Sequence, residues 1–200
     1  MLTAVFHGLL VSLSLIAAIG SQNAFVLRQG LRREHVGLVV ATCALSDAVL
    51  ITLGISGMGT LIAGIPWLAT GMKWLGAAFL FVYGALRFRA AYQGGESLIP
   101  ADKPSVPARD VLLVCLTLTW ANPHVYLDTV LLLGTIGTQY APYQALFGVG
   151  AALGSLVFFV ALGYGARLLA PLFEKPRAWV VLELIIGCTM WAIAWSLLAA

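Results

Sequence analysis

The sequence contains very little charge. Only 10% of its 200 residues are Asp, Glu, Lys or Arg, and 61% are apolar. A soluble domain carries about a quarter charged residues, and a chain of this size cannot hide so much apolar surface in one core. The composition therefore excludes an ordinary soluble domain and predicts a protein that is embedded in lipid.

The sequence also lacks the patterns of metal sites and disulfide frameworks. Its three cysteines, Cys43, Cys115 and Cys188, lie in separate apolar segments without ligand-like spacing, where cysteine behaves as a small apolar residue. Only His124 and Asp128 come close to a ligand or catalytic pair, and no nucleophile or metal motif accompanies them. A metal exporter and an intramembrane enzyme are therefore weak alternatives, and we predict no metal site and no catalytic residue.

Long apolar runs dominate the chain instead. Crossing the hydrocarbon core takes about 20 apolar residues in a helix. Six stretches qualify, at about 3–27, 36–58, 66–90, 110–135, 142–165 and 177–199. They do not alternate in polarity as the strands of membrane barrels do. We therefore predict an all-α integral membrane protein with six transmembrane helices in a single domain, 1–200, and, because no basic residue precedes the first stretch, no cleaved signal peptide.

The six segments divide into two groups of three. A linker at about 91–109 with several Gly and Pro residues separates repeat one, about 1–90, from repeat two, about 110–200. Short motifs recur in the same order in both repeats: an Asn motif in segments one and four, the matching stretches 44–47 and 152–155 in segments two and five, and a Leu-Gly or Ile-Gly pair in three and six. Because three crossings are an odd number, the two three-helix repeats are inverted, which is a building plan of secondary transporters.

The basic residues lie on one side of the predicted bundle. Lys and Arg cluster after segments one, three and five, at 28–33, 87–109 and 167–177, whereas the other loops and both termini have none. Short cytoplasmic loops attract Lys and Arg. We therefore predict a protein of the cytoplasmic (inner) membrane whose three basic loops face the cytoplasm and whose termini both lie on the outer side. Anchoring in the lipid bilayer explains the clusters without a nucleic-acid partner. A C-terminal reporter found in the cytoplasm would instead favour five spanning segments.

Four charged residues fall inside apolar segments: Asp47, Lys73, Asp128 and Glu183. Such a charge costs a few kcal/mol on insertion scales, so it persists where it is paired or lines a wet cavity. Lys73 and Glu183 could form a structural ion pair or take part in coupling, and both interpretations stay open. Asp47 and Asp128 have no basic neighbour in the sequence, which favours a role in binding. Charges at this depth also argue against a purely structural subunit.

Two positions predict helix breaks. Pro123 lacks a backbone donor and disfavours helix at Asn122, and the carbonyls that it frees can face a cavity. Gly20 and the polar residues that follow it indicate a second break, or else an ordinary helix end. His124 shares a helical face with Asp128 and could carry a proton, or it could simply bond that carboxylate in a kinked packing helix. The depth of Arg28 stays open, because segment one can continue past it, and like Lys73 and Glu183 it could be a structural or a coupling charge.

These motifs resemble a known family. The run from Ile19 to Gly30, Ile-Gly-Ser-Gln-Asn-Ala-Phe-Val-Leu-Arg-Gln-Gly, resembles the signature of the LysE family of amino-acid exporters, in its lysine/arginine branch. The stretch from Asn122 to Asp128 and the pair Ser46-Asp47 match that branch too, and the resemblance covers essentially the whole chain. The wider family often has Pro-Gly-Pro-Asn and Asn-Pro-Lys at the two Asn motifs. Gly-Ser-Gln-Asn and Asn-Pro-His in this chain favour the basic amino-acid branch over the homoserine/threonine-type branch.

The resemblance implies a secondary exporter of L-lysine or L-arginine that is driven by the proton or membrane potential, as in antiport, and acts as a homodimer without a cofactor. The candidate residues for binding the substrate or an ion are Gln22, Asn23, Asp47, Asn122, His124 and Asp128. The carboxylates would face the cationic side chain of the substrate. Helix-end amides near Asn23 or Asn122 would meet its carboxylate, and exposed carbonyls its ammonium group. A neutral amino acid or another small cationic metabolite is the alternative cargo.

Overall fold

The computed structural model describes residues 1–17, 20–57, 66–93 and 106–199, and this part of the chain is helical without a strand. Its helices are α1 (Leu2–Ile16), α2 (Ser21–Arg32), α3 (Val36–Ile55), α4 (Pro66–Tyr92), α5 (Ala108–Trp120), α6 (Pro123–Tyr126), α7 (Leu133–Thr138), α8 (Gln144–Gly165) and α9 (Pro176–Ala199). A π-helical stretch, Leu127–Leu132, joins α6 to α7, and a 3-10 stretch, Ala166–Glu174, follows α8. The all-α prediction is confirmed. Most of the predicted linker, 94–105, lies outside the described residues.

Three helical stretches in the described part are long and apolar enough to cross a membrane: Val36–Ile55, Gln144–Leu169 and Arg177–Trp195. Helices α1 and α2 meet the same test together as one broken span that bends by 85°. Length and composition therefore support up to four crossings, and the arrangement of six spans in two inverted repeats stays a prediction.

The first predicted segment is interrupted. Helix α1 ends at Ile16 and α2 begins at Ser21, with Gly20 in an extended conformation at the N-cap. The segment also continues past Arg28 to Arg32, and Arg28 is buried within it. The residue type explains the geometry, because glycine and neighbouring polar side chains tolerate a sharp change of direction.

The fourth predicted segment is interrupted as well. Helix α5 ends at Trp120, Asn122 lies between helices, and α6 begins with Pro123. Proline suits the first position of a helix, because that N–H has no partner within the helix in any case. The two interruptions are at the positions that the sequence marks with Gly20 and Pro123.

Glycines set the closest helix crossings. A Cβ atom at Gly150 of α8 would collide with the carbonyl oxygen of Val5 of α1, and one at Gly8 would collide with the carbonyl of Phe147. In the other half of the bundle, a Cβ at Gly134 of α7 would lie 2.7 Å from the carbonyl oxygen of Gly54 of α3. Contacts of this kind between small residues are typical of helices that pack in lipid.

Helices α4 and α9 pack against each other in a reciprocal way. A Cβ at Gly84 of α4 would collide with the ring of Trp191 of α9, and a Cβ at Gly187 of α9 would lie 2.8 Å from the ring of Phe88 of α4. The rings of Phe88 and Trp191 meet edge to face, with their centroids 4.9 Å apart. Each helix therefore offers a glycine to the aromatic ring of its neighbour.

The buried apolar side chains that the structure describes form two clusters. The larger one joins α2, α3, α4, α5 and α9 through residues that include Leu31, Val39, Leu80, Leu118 and Ile186. The smaller one joins α1, α3, α7 and α8 around Ala4, Ile51, Leu133, Phe147 and Ala151. Because α3 contributes to both clusters, it connects the two parts of the bundle.

Candidate functional site

A cavity of about 590 Å³ opens beside both helix interruptions. It is lined by the end of α1, the start of α2, the middle of α3, the second interruption and one face of α9, through Leu15, Ile16, Gly20, Ser21, Gln22, Asn23, Asp47, Asn122, Val125, Asp128, Thr129, Thr189, Ala192 and Ile193. Five of the six residues that the sequence proposes for substrate binding are in this set. The side chain of the sixth, His124, lies outside the described residues.

Only one of the two carboxylate oxygens of Asp47 has a hydrogen-bond partner among the described residues. Asp47 lies on α3 with 2% of its surface exposed, and its Oδ2 accepts a hydrogen bond of 2.7 Å from the hydroxyl of Ser155 on α8. Its Oδ1 has no hydrogen-bond partner among the residues that the structure describes. One carboxylate oxygen thus fixes the side chain, and the other can still accept a hydrogen bond.

Ser155 was not among the predicted site residues, although the sequence carries a signal for it. The matching stretches 44–47 and 152–155 in segments two and five set Ser155 opposite Asp47. The structure joins these two residues by a hydrogen bond. A motif comparison between the two halves could therefore have identified the partner of the carboxylate.

The first interruption presents hydrogen-bond donors to the cavity wall. Gly20 at the N-cap of α2 has no side chain that could cap the helix, and the N–H of Ala24 donates to the carbonyl of Gly20. Asn23 donates from Nδ2 to the carbonyl oxygen of Ile16 at 2.6 Å, which ties the start of α2 to the end of α1. Gln22 is buried, and its Nε2 has no hydrogen-bond acceptor in the described part of the chain.

The second interruption is supported by side-chain hydroxyl groups and an indole N–H. Tyr126 donates to the carbonyl of Trp120 at 2.9 Å, and Thr129 donates to the carbonyl of Val125 at 2.6 Å. The indole N–H of Trp120 donates to the hydroxyl of Ser46 on α3 at 3.1 Å. The two hydroxyl bonds satisfy backbone carbonyls next to the break, as polar groups at membrane depth require, and the indole bond ties the end of α5 to α3.

Asp128 lies in the π-helical stretch that follows, and it lines the cavity together with Asn122. A π-helical turn adds a residue to the helix and is frequent at functional sites. The spacing of four residues between His124 and Asp128 predicts a regular α-helical face, and the structure has a different helix type from Leu127 onward. The sequence carries no signal for this change of helix type.

A second group of buried charges does not line the cavity. Glu183 of α9 has no exposed surface and accepts a hydrogen bond of 3.1 Å from Nε of Arg28 on α2. Nη1 of Arg87 on α4 lies 3.4 Å from Oε2 of the same carboxylate. The guanidinium of Arg87 also lies 5.0 Å from the ring centre of Tyr83. This buried cluster of Arg28, Arg87 and Glu183 joins three helices.

The suggested ion pair between Lys73 and Glu183 stays a prediction, because the side chain of Lys73 lies outside the described residues. Arg28 and Arg87 contact Glu183, and Arg87 lies fourteen residues after Lys73 on the same helix.

The thiols of Cys43 and Cys115 meet inside the bundle. Their sulfur atoms are 3.4 Å apart, and both residues are free and buried, whereas Cys188 is exposed. Among the described residues, no three His, Cys, Asp or Glu side chains are placed to share a metal ion.

The profile of the LysE type translocator family matches residues 13–200. The chain belongs to the LysE family. A protein of Mycobacterium tuberculosis (strain ATCC 25618 / H37Rv), named as a candidate amino-acid transporter, is 41% identical to this LysE-family chain over 182 residues, which cover 91% of this chain and 90% of the relative.

Two further relatives carry the name arginine exporter protein ArgO. The ArgO of Escherichia coli (strain K12) is 37% identical over 193 residues, covering 96% of this LysE-family chain and 92% of the relative. The ArgO of Serratia proteamaculans (strain 568) is 38% identical over 198 residues, covering 98% and 97%. No solved structure matches the chain. The family that the Asn motifs suggest is therefore confirmed.

Proposed function

We propose that this protein is a secondary transporter that exports basic amino acids, L-arginine or L-lysine, across the cytoplasmic membrane. The observation that carries the proposal is the cavity, because Asp47, Asp128 and both helix interruptions line one space. Its volume of about 590 Å³ is within the range of small-molecule sites, roughly 300–1,000 Å³. The names of the arginine exporter relatives support the choice of cargo.

The charge of the cavity wall fits a cationic cargo. Asp47 and Asp128 are acidic, and none of the described residues that line the cavity is Lys or Arg. A cationic side chain that enters the membrane interior needs an anionic partner.

We further propose six spans in two inverted repeats, with both termini outside. The helix contacts support this arrangement, because each contact has a counterpart when the two repeats are exchanged. Helix α1 of the first segment packs on α8 of the fifth, and correspondingly α5 and α7 of the fourth segment pack on α3 of the second. Under the same exchange, the pairs α3 with α8 and α4 with α9 map onto themselves. The hydrogen bond between Asp47 and its counterpart Ser155 agrees with such a symmetry.

Export of a basic amino acid needs an energy source. A cation that leaves the cell moves against an inside-negative potential, which opposes each charge by about 2.3 kcal/mol per 100 mV. Exchange for an entering proton removes this cost, because no net charge then crosses the membrane. Proton antiport is therefore the coupling that the cargo favours, with Asp47, Asp128 and His124 as the candidate proton carriers.

The proposal is tested by efflux from cells that lack their own exporters and are fed an arginine-containing dipeptide. We expect Asp47→Asn and Asp128→Asn to lower the rate of arginine release at least tenfold at equal membrane abundance. The matched control is Asp110→Asn, the same change at an exposed position at the start of α5. Efflux like that of the wild type in both cavity variants would remove the proposed site. Lysine and neutral amino acids added as competitors would separate the alternative cargoes.

A further inference from the structure

We infer that the first turn of α2 is the subsite for the substrate's α-carboxylate and that Gln22 makes this subsite selective for amino acids over amines. The inference rests on the proposed function and concerns the same cavity. It places the α-carboxylate of the cargo at the cavity wall formed by the start of α2, which has the chemistry of an anion site.

The start of α2 has the donors of an anion site. The N–H of Ala24 donates to Gly20, so the N–H groups of Ser21 and Gln22 precede the first hydrogen bond within the helix. Gly20 supplies no capping side chain in their place. The helix has 12 residues, and its dipole places partial positive charge at this end. Helix N-termini of this kind bind carboxylates and phosphates.

Unpartnered side chains at the same wall independently indicate a missing ligand. Gln22 lines the cavity with 7% of its surface exposed, and its Nε2 donor has no acceptor among the described residues. The hydroxyl of Ser21, which also lines the cavity and is fully buried, has no hydrogen-bond partner among the described residues either. Buried donors without acceptors are rare in folded proteins, because leaving them unpaired is unfavourable. A bound carboxylate would supply the acceptor oxygens.

The second interruption is the weaker candidate for this role. Helix α6 begins with Pro123, which has no N–H, so its first turn offers one donor fewer. Asp128 follows within the next two turns and repels an anion. By contrast, none of the first four residues of α2, Ser21 to Ala24, is acidic or proline.

The opposite charge is found elsewhere on the same wall. Oδ1 of Asp47 has no hydrogen-bond partner in the described part of the chain, and Asp47 lines the cavity. The cavity therefore offers unpaired donors and an unpaired acceptor, which matches a cargo that carries both a carboxylate and a cation. An amine without a carboxylate would leave the donors of Ser21 and Gln22 unpaired, and sites of this kind reject the analogue that lacks the bonded group.

The test compares binding of arginine with binding of agmatine, which is arginine without its carboxylate. Dissociation constants are measured by calorimetry on the purified full-length protein, so that the result does not depend on transport. We expect the wild type to bind arginine at least tenfold more tightly than agmatine. Gln22→Glu should weaken arginine binding at least tenfold, because it adds a negative charge beside the carboxylate, and should leave agmatine binding equal or tighter.

Two further variants keep the test decisive. Gln22→Met keeps the size of the side chain without its donor, and it should also lower the preference for arginine. Gln29→Glu is the matched control, because Gln29 is buried on the same helix but does not line the cavity, and its ratio of the two constants should equal that of the wild type. Variants are compared only where gel filtration gives a single symmetric peak.

The outcomes separate the two claims. Equal binding of arginine and agmatine by the wild type would overturn the carboxylate subsite and leave the proposed export of basic amino acids intact. An unchanged preference in both Gln22 variants would overturn the role of Gln22. A wild-type protein that binds neither arginine nor lysine would contradict the proposed function itself.

Discussion

At the scale of single residues, two buried carboxylates have different surroundings. Glu183 is contacted by the guanidinium groups of Arg28 and Arg87. Asp47 is contacted by the hydroxyl of Ser155, and its second oxygen is unpaired in the part of the chain that the structure describes. A buried charge with two cationic partners is suited to holding helices together, whereas one with an open acceptor is suited to binding. The structure therefore favours a structural role for Glu183 and a substrate role for Asp47.

The first residue-scale prediction concerns Glu183→Gln. The change leaves the buried guanidinium group of Arg28 and the partly buried one of Arg87 without their shared anion, and removing one partner of a buried ion pair costs about 3–5 kcal/mol. We expect the thermal unfolding temperature of the purified protein in detergent to fall by about 6–20 °C, because each kcal/mol shifts it by about 2–4 °C in a chain of this size.

The control for Glu183 is Glu34→Gln. Glu34 pairs with Arg32 at 3.0 Å, and the two side chains are 25% and 18% exposed. Exposed pairs contribute at most about 1 kcal/mol, so this variant should unfold close to the wild-type temperature. Equal unfolding of Glu183→Gln and the wild type would show that the cluster does not stabilise the fold.

The partner of Glu183 shows where sequence reasoning stops at this scale. The sequence identifies Glu183 as an unfavourable charge inside an apolar segment, but several basic residues could pair with it. The sequence suggests Lys73 as the partner, whereas in the structure Arg28 and Arg87 contact Glu183. The choice depends on which turns of α2, α4 and α9 face one another, and that packing is not encoded in the spacing of any one segment.

At the scale of helices, the breaks were predictable and their internal geometry was not. Gly20 and Pro123 restrict the backbone by themselves, so each interruption follows from the residue types. The predicted segments also coincide closely with α3, α4, α8 and α9. The π-helical stretch Leu127–Leu132, which packs against α3, has no local sequence signal.

The element-scale prediction concerns Pro123→Ala. Alanine restores an N–H and removes the clash that proline makes with the preceding turn, which together disfavour a continuous helix by about 3 kcal/mol. We expect α5 and α6 to join, and arginine efflux to fall several-fold while the unfolding temperature stays equal or rises.

The control for this prediction is Pro107→Ala. Pro107 is an exposed residue at the N-cap of α5, so the same substitution there should leave efflux unchanged. If Pro123→Ala exports arginine as fast as the wild type, the second interruption is not needed for transport.

At the scale of the whole molecule, the cavity lies where the two predicted repeats meet. Residues from α1, α2 and α3 in the first half and from the second interruption and α9 in the second half line it. In transporters built from inverted repeats, the substrate is held at such a boundary, and one repeat rocks against the other. This arrangement would expose the carboxylates of Asp47 and Asp128 to each side of the membrane in turn. A homodimer, which the family resemblance implies, is not required for this mechanism and stays a prediction.

The central claim is that this chain alone moves basic amino acids outward in exchange for protons. The most direct measurement is flux of labelled arginine by the purified wild-type protein in liposomes, with the pH gradient and the voltage imposed separately and lysine compared in parallel. We predict saturable arginine flux that a pH gradient drives and that the voltage alone changes little, because exchange for one proton moves no net charge. Sealed liposomes that contain folded protein and show no arginine or lysine flux under either gradient would contradict the account.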